Sequence, residues 1–303
     1  MSGSARQSPI VATLFVAASA CCFGSVSTLT LVGTGAGTSL PTLIMWRYLL
    51  AAPLLLIAAR RRPSPAVAAG VRWRIIVLGG GGQAIVTALT LLSLRWVPAA
   101  TEAFLFYTFP AFVAILAAVR GTEKLTGARV IALLLALGGI AFMVGSPGSA
   151  ALDPIGVSLV IGGALAYAIY IPMIDGLRHR SSAPYTSAWL SVGATVVFGV
   201  WAALDHSLFV PLSGRAMVAA VLLALACTAV AFLLFLRGLA VLGPVRTAIV
   251  CTVEPFWTSV LAATVLGQPI TGRTLGGGAL IAVAVLLLQR GSTADAEDIA
   301  AAT

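Results

Sequence analysis

Residues 245–272, VRTAIVCTVEPFWTSVLAATVLGQPITG, combine an apolar run long enough to cross a bilayer with an acid and a proline at its centre. A shift of 145 positions brings residues 100–127, ATEAFLFYTFPAFVAILAAVRGTEKLTG, onto the same pattern. In this register Pro110 lies on Pro255, and Thr126-Gly127 lies on Thr271-Gly272. A mid-span proline and a Thr-Gly pair in one register indicate an internal duplication.

The composition excludes a soluble globular protein. Of 303 residues, 60% are hydrophobic and 9% are charged, and the mean hydropathy is +1.06. About a quarter of the residues in a soluble domain are charged, so this chain cannot cover its core with polar surface and must use lipid as its main solvent. The cysteines lie in apolar runs without Cys-x-x-Cys spacing, and we expect no disulfide framework, metal site or cofactor. They are Cys21, Cys22, Cys227 and Cys251.

Ten apolar runs are long enough to span the hydrocarbon core. They cover residues 9–32, 39–59, 74–94, 99–119, 127–145, 154–175, 185–204, 215–237, 245–266 and 273–289. The first run exceeds the length of a signal-peptide core and nine further runs follow it, which favours an uncleaved helix.

The duplication and the ten runs together predict an all-α integral membrane fold, with ten transmembrane helices arranged as two five-helix repeats. Because five is odd, the second repeat enters the bilayer in the opposite direction, which gives an inverted-topology repeat with a shared cavity near the midplane. The predicted parts are a cytoplasmic N-terminus at 1–8, the first repeat at 9–145, a periplasmic linker at 146–153, the second repeat at 154–290 and a disordered cytoplasmic tail at 291–303.

The positive charges predict the orientation. With both ends in the cytoplasm, fourteen of the eighteen lysines and arginines fall on the inside. Three fall outside, at Arg95, Arg215 and Arg273, and Arg47 lies within the second span. This bias follows the positive-inside rule and predicts a multi-pass protein of the bacterial inner membrane. The cations are spread over loops, so a nucleic-acid partner is not expected.

Two predicted helices carry polar stripes. Thr247, Cys251, Glu254 and Thr258 share a face of the ninth span, and Gln83, Thr87 and Thr90 share a face of the third. Such faces should turn away from lipid, toward either a cavity or another helix, and the threonines and the glutamine could simply form interhelical hydrogen bonds. A carboxylate as deep as Glu254 is a functional candidate by default.

The other intramembrane features each allow two interpretations. Arg47 could pair with a substrate carboxylate or with Glu254, or it could brace helix ends or reach toward the interface. Pro110 and Pro255 free the carbonyls of Phe106 and Cys251. The two prolines could mark a transport site and act as hinges there, or they could be simple kinks that aid packing. Tyr107, Tyr167, Tyr170 and Trp257 could line an aromatic cavity or pack as ordinary core. Glu102 begins the fourth span, and we expect it to be a solvated residue at the outer rim.

Several motifs resemble the drug/metabolite transporter superfamily, in its ten-helix type with two EamA repeats. They are Arg47-Tyr48-Leu49, Phe109-Pro110, Glu123-Lys124-Leu125-Thr126, Glu254-Pro255-Phe256-Trp257 and Gly267-Gln268-Pro269-Ile270-Thr271. The resemblance covers nearly the whole chain and extends to YddG-like bacterial exporters of amino acids. It implies a central cavity formed by helices 1–4 and 6–9, with helices 5 and 10 outside. Gln268 departs from the acid common at that position, so a role that needs the acid does not carry over.

We therefore expect a transporter, active as a monomer or weak dimer, that exports small amphipathic metabolites, amino acids above all, by alternating access. Drugs, nucleotide sugars and phosphorylated metabolites are the nearer alternatives. Phosphorylated cargo favours several deep cations, and Arg47 is the one cation that lies deep within a span and away from its ends. An intramembrane enzyme needs a nucleophile with a base, paired aspartates or metal ligands. Because His179 and His206 lie between spans and no aspartate falls clearly inside one, no enzymatic activity is expected.

Overall fold

The computed structural model describes residues 8–61, 67–121, 126–144, 152–178 and 181–301. The predictions for residues 1–7, for the motif Glu123-Lys124-Leu125 and for linker residues 146–151 therefore lie outside the described residues. Within the described ranges the chain forms helices joined by short turns.

We number the helices in chain order. They are α1 (Pro9–Gly24), α2 (Val26–Gly35), α3 (Leu40–Arg60), α4 (Ala69–Arg74), α5 (Gly81–Ser93), α6 (Ala99–Phe106), α7 (Phe109–Val119), α8 (Gly127–Val144), α9 (Pro154–Arg178), α10 (Ala183–Leu204), α11 (Gly214–Ala224), α12 (Ala231–Cys251), α13 (Val253–Leu266) and α14 (Gly272–Ala301). Two π-helical segments, Ile75–Gly80 and Leu225–Val230, join α4 to α5 and α11 to α12.

Within the described ranges, eight helices are long and apolar enough to cross a membrane. They match the first four and the sixth to ninth predicted spans: Pro9–Gly35, Leu40–Arg60, Ala69–Ser93, Ala99–Val119, Pro154–Ile174, Ala183–Leu204, Gly214–Gly243 and Ile249–Leu266. The fifth and tenth predicted spans correspond to two shorter apolar helices, Val130–Met143 and Gly272–Leu287. An all-helical, multi-span membrane protein is thus confirmed, and the count of ten spans stays a prediction.

The fourth and ninth spans are both interrupted next to their prolines. α6 ends at Phe106 and α12 ends at Cys251, positions that are 145 residues apart, as in the sequence repeat. Pro110 stands in the first turn of α7, where a missing N–H breaks no helical hydrogen bond. This proline therefore begins a new helix.

Helices of the first half pack against helices of the second half. α3 lies along α10, and the contacts Ser39–Ser207 and Tyr48–Phe198 show that these two helices run in opposite directions. Further pairs between the halves include α1 with α12, α2 with α11, α5 with α9, α6 with α13 and α8 with α14. Each half therefore forms part of the same central bundle.

Glycines permit the closest helix contacts. A Cβ atom on Gly80 would lie 2.5 Å from the Cα of Gly193, and a Cβ atom on Gly24 would lie 2.7 Å from the carbonyl oxygen of Glu254. Between helices in lipid, such small residues provide close van der Waals packing in place of a hydrophobic driving force. Large apolar side chains on the outer faces stay exposed, as lipid contact requires. Examples are Leu134, Leu137, Val196, Val218 and Val260.

Candidate transport site

A cavity of about 720 Å³ lies at the centre of the bundle. This volume falls in the range of roughly 300–1,000 Å³ found for small-molecule sites. The first four and the sixth to ninth spans all contribute to its walls, and Val285 of α14 also reaches it. One lining residue from each of these eight spans, in chain order, is Phe23, Arg47, Gln83, Glu102, Tyr167, Ser187, Thr228 and Glu254.

The cavity is offset toward one end of the bundle. Its lining reaches Thr186, near the start of α10, and also Leu239 and Thr247, on either side of the turn at Gly243. Gly243 has a φ of 74°, a conformation that glycine adopts without strain. The cavity therefore extends toward the end of the bundle where α9 is followed by α10.

Hydrogen bonds tie the helices together at the opposite end. The Ser39 hydroxyl donates to the Ser207 hydroxyl at 2.6 Å, which joins α3 to the turn after α10. The Gln268 side-chain oxygen accepts from the Ala99 N–H at 3.0 Å, which satisfies an otherwise free donor at the start of α6. An amide oxygen can fill this role, so the contact does not require the acid that is common in the family.

Tyr107 connects the break in the fourth span to the ninth span. Its hydroxyl oxygen lies 2.7 Å from the Cys251 carbonyl oxygen and 2.8 Å from Glu254 Oε2. Pro255 has no N–H to donate to the Cys251 carbonyl, so Tyr107 supplies the missing donor. A tyrosine hydroxyl has one proton, and both contacts are hydrogen bonds at once when the Glu254 carboxyl is protonated and donates to the tyrosine oxygen.

Arg47 faces the cavity and is 8% exposed. Its Nε donates to Thr228 Oγ1 at 2.9 Å, and its guanidinium carbon lies 5.2 Å from the centre of the Tyr48 ring. Thr228 belongs to the π-helical segment Leu225–Val230, so this local irregularity presents the arginine's partner. Arg47 forms no ion pair with a carboxylate among the described residues, Glu254 included.

The polar stripe of the third span meets Tyr48. Thr87 Oγ1 and the Tyr48 hydroxyl are 3.0 Å apart, and Gln83 Nε2 donates to both oxygens at 3.2 and 3.3 Å. All three residues line the cavity. Thr90 lines it as well, but its hydroxyl donates to the Val86 carbonyl of its own helix. The stripe therefore makes interhelical hydrogen bonds and faces the cavity at the same time.

Aromatic rings form a continuous wall on the side of the fourth and sixth spans. The Tyr167 ring centre lies 5.4 Å from that of Phe106, 4.9 Å from that of Phe109 and 6.2 Å from that of Tyr170. These four residues, and Tyr107 beside them, all line the cavity.

Trp257 does not belong to the aromatic wall. It is absent from the cavity lining, and its indole Nε1 donates to the Ser25 hydroxyl at 3.1 Å. Ser25 separates α1 from α2, and nearby the Thr258 hydroxyl donates to the Gly24 carbonyl at 2.8 Å. Trp257 therefore secures the ninth span to the break in the first. Pro255 also lies outside the lining, whereas Pro110 is part of it.

Glu102 is buried, and our expectation of a solvated rim residue is wrong. It is 5% exposed, lines the cavity and accepts a hydrogen bond from Ser27 Oγ at 2.8 Å. Although Glu102 lies only one turn inside α6, that end of the bundle is closed, partly by the contact between Gln268 and Ala99. Its spacing from Phe106, four residues on, was a signal that both side chains share one helix face.

Sequence reasoning also missed three neutral partners. Glu102 is bound by Ser27, and the polar stripe of the third span is bound by Tyr48. Arg47 is bound to Thr228. Tyr48 was visible as the neighbour of Arg47 in a family motif, but single hydroxyls in apolar helices gave no signal. In the part of the chain that the structure describes, no group of three or more His, Cys, Asp or Glu side chains could hold a metal ion.

Apolar spanning helices around a cavity that contains charged side chains define a multi-pass membrane protein of the transporter class. The chain belongs to the EamA-like transporter family, whose model matches residues 10–145 and again residues 154–290. The two matches coincide with the two halves of the sequence repeat.

Solved structures share the fold. One, described as "Crystal structure of protein", superposes with a TM-score of 0.65 and 18% sequence identity, covering 93% of this chain and 98% of that chain. At this identity the likeness concerns the fold alone. No curated protein matches the sequence.

Proposed function

We propose that this protein exports small amphipathic metabolites, with amino acids as the cargo, across the bacterial inner membrane by alternating access through the central cavity. One observation carries the proposal. Arg47 and Glu254 both face the cavity, and neither forms an ion pair among the described residues. Charges within a membrane are costly unless compensated, so they favour a ligand that brings both counter-charges. A zwitterionic amino acid does so.

An inverted arrangement of the two halves supports alternating access. The opposed directions of α3 and α10, the break repeated at Phe106 and Cys251 and the paired family match all favour it. The excess of cations in the predicted inner loops favours cytoplasmic ends, in which case the cavity faces the cytoplasm. Reporter tags on the two chain ends test this topology, and tags on opposite sides of the membrane would contradict it.

The cavity favours amino acids over phosphorylated cargo. Phosphate recognition uses clusters of cationic donors, and Arg47 is the only cationic side chain among the described lining residues. A single guanidinium matches one carboxylate.

Transport by the purified protein in liposomes tests the cargo. We expect saturable uptake and counterflow of at least one member of an amino-acid panel, with a strong loss in Arg47→Ala. Arg215→Ala is the matched control, because Arg215 is exposed and absent from the cavity lining. Absence of saturable flux for every amino acid would refute the proposed cargo.

We propose that protons couple to transport through Glu254. The single proton of Tyr107 supports this, because its two contacts are satisfied together when Glu254 is protonated. A cargo ammonium pairs instead with the ionised carboxylate, so protonation and cargo binding compete at Glu254. The other titratable side chains lining the cavity are Arg47, Tyr48, Glu102, Tyr107, Tyr167, Tyr170, Cys227 and Cys251. Glu254→Gln should lose the dependence of flux on a pH gradient, and full retention of that dependence would exclude Glu254 as the coupling group.

A further inference from the structure

Glu102 gives the cavity a second acid. Among the described lining residues, one is an arginine and two are carboxylic acids: Arg47, Glu102 and Glu254. Glu102 belongs to the first half of the chain and Glu254 to the second. Each of the three groups has a hydroxyl partner. Arg47 contacts Thr228, Glu102 contacts Ser27, and Glu254 contacts Tyr107.

The surroundings of Glu102 are those of a binding group. Ser27 donates to one of its carboxyl oxygens, and no other hydrogen-bond donor reaches the carboxyl among the described residues. A carboxylate that serves only to hold the structure together is normally paired or accepts several hydrogen bonds when it is buried. Glu102 instead combines 5% exposure with a position on the cavity wall.

We infer that Glu102 and Glu254 each bind a cationic group of the cargo while Arg47 binds its carboxylate, so the substrates are amino acids with a cationic side chain. This inference rests on the proposed function. When all three groups are ionised, the cavity carries one net negative charge. A dibasic amino acid carries one net positive charge and matches the three groups one for one, whereas a neutral amino acid leaves one carboxylate without a partner.

The aromatic wall supports a cationic cargo. Glu102 and Phe106 lie one helical turn apart on α6, and Phe106 packs against Tyr167. The faces of aromatic rings attract ammonium and guanidinium groups, and the same rings offer apolar surface to an alkyl side chain. The wall therefore accommodates both parts of a long cationic side chain.

Three probes separate the contributions of the charges. Lysine carries all three charged groups, norleucine has a similar carbon chain but lacks the second ammonium, and cadaverine lacks the carboxylate. In liposomes containing the full-length protein, we expect kcat/KM for lysine to exceed that for norleucine by roughly 100-fold, since one buried charge is otherwise left unpaired. Cadaverine should also be a poor substrate, because Arg47 then has no counter-charge.

A Glu102→Gln variant assigns the selectivity to this residue. We expect it to bring the lysine to norleucine ratio close to one, with norleucine flux showing that the variant is folded. Ser27→Ala keeps the charge and should keep most of the selectivity. An unchanged ratio in Glu102→Gln would overturn the assignment.

Wild-type selectivity decides the question even if the glutamine variant does not fold. Equal kcat/KM for lysine and norleucine overturns the inference and leaves amino-acid transport standing. No saturable flux of any amino acid overturns the proposed function itself.

Discussion

Substitution of Tyr107 by phenylalanine isolates a single hydroxyl group. The ring and its packing remain, but the Cys251 carbonyl and the Glu254 carboxyl both lose the partner that lies within 2.8 Å of each. The Cys251 carbonyl has no donor from residue 255, because that residue is proline. The variant therefore leaves a backbone acceptor unsatisfied between the two halves of the protein.

The expected loss follows from the burial of these groups. A buried polar group that loses its partner costs about 1–3 kcal/mol. Tyr107 is 9% exposed and lies on a cavity that can admit water, so we expect the lower part of that range, about 1–2 kcal/mol of unfolding free energy. Reversible unfolding in detergent micelles measures it. Tyr185→Phe is the control, because the Tyr185 hydroxyl has no hydrogen-bond partner among the described residues.

A double-mutant cycle with Pro255→Ala tests the physical cause. In that background residue 255 gains an N–H that can donate to the Cys251 carbonyl, so the carbonyl no longer depends on Tyr107. We expect Tyr107→Phe to cost about 1 kcal/mol less there than in the wild type, the size of one net hydrogen bond. An equal cost in both backgrounds would show that the tyrosine does not compensate for the proline.

Three further substitutions probe helix contacts and the arginine. Gly24→Ala should destabilise the protein by about 1–3 kcal/mol, because its Cβ would lie 2.7 Å from a backbone oxygen of the ninth span, whereas Gly35→Ala meets nothing within 4 Å and serves as the control in thermal unfolding. Gln268→Ala should cost about 0.5–2 kcal/mol through loss of the acceptor at the start of α6, and Gln268→Glu should retain stability in the same assay. Arg47→Lys should raise the transport KM about 10-fold, because lysine lacks the Nε donor to Thr228; an unchanged KM would separate that bond from cargo binding.

The spans and their interruptions could be predicted because they depend on local properties. Apolar length is set by membrane thickness, and a proline acts on the helix that contains it. The sequence therefore indicated the breaks near Pro110 and Pro255 and the carbonyl freed at Cys251. It did not indicate that Tyr107, from the other half of the chain, would supply the donor to that carbonyl.

The partners within the cavity depend on helix rotation and on contacts between distant segments. Helical spacing correctly grouped Gln83 with Thr87, but it could not show that Trp257 turns toward Ser25 and away from the cavity. The position of Glu102 near the start of its span did not predict its exposure, because the nearby end of the bundle is closed by packing between helices. The sequence also did not reveal the π-helical segment that presents Thr228. The residues of that segment, LACTAV, have the same apolar composition as the α-helices around it.

The repeat explains why the scaffold is more regular than the chemistry of the site. Shifting by 145 positions superposes the ends of α6 and α12, but it places Glu102 on Thr247 and Glu254 on Phe109. Each acid thus occupies a position where the other half carries a neutral side chain. If both copies had kept both acids, four carboxylates would face one low-dielectric cavity with a single arginine, and their mutual repulsion would be severe. The two halves therefore share the paired helix breaks and carry one acid each, at different positions around the same cavity.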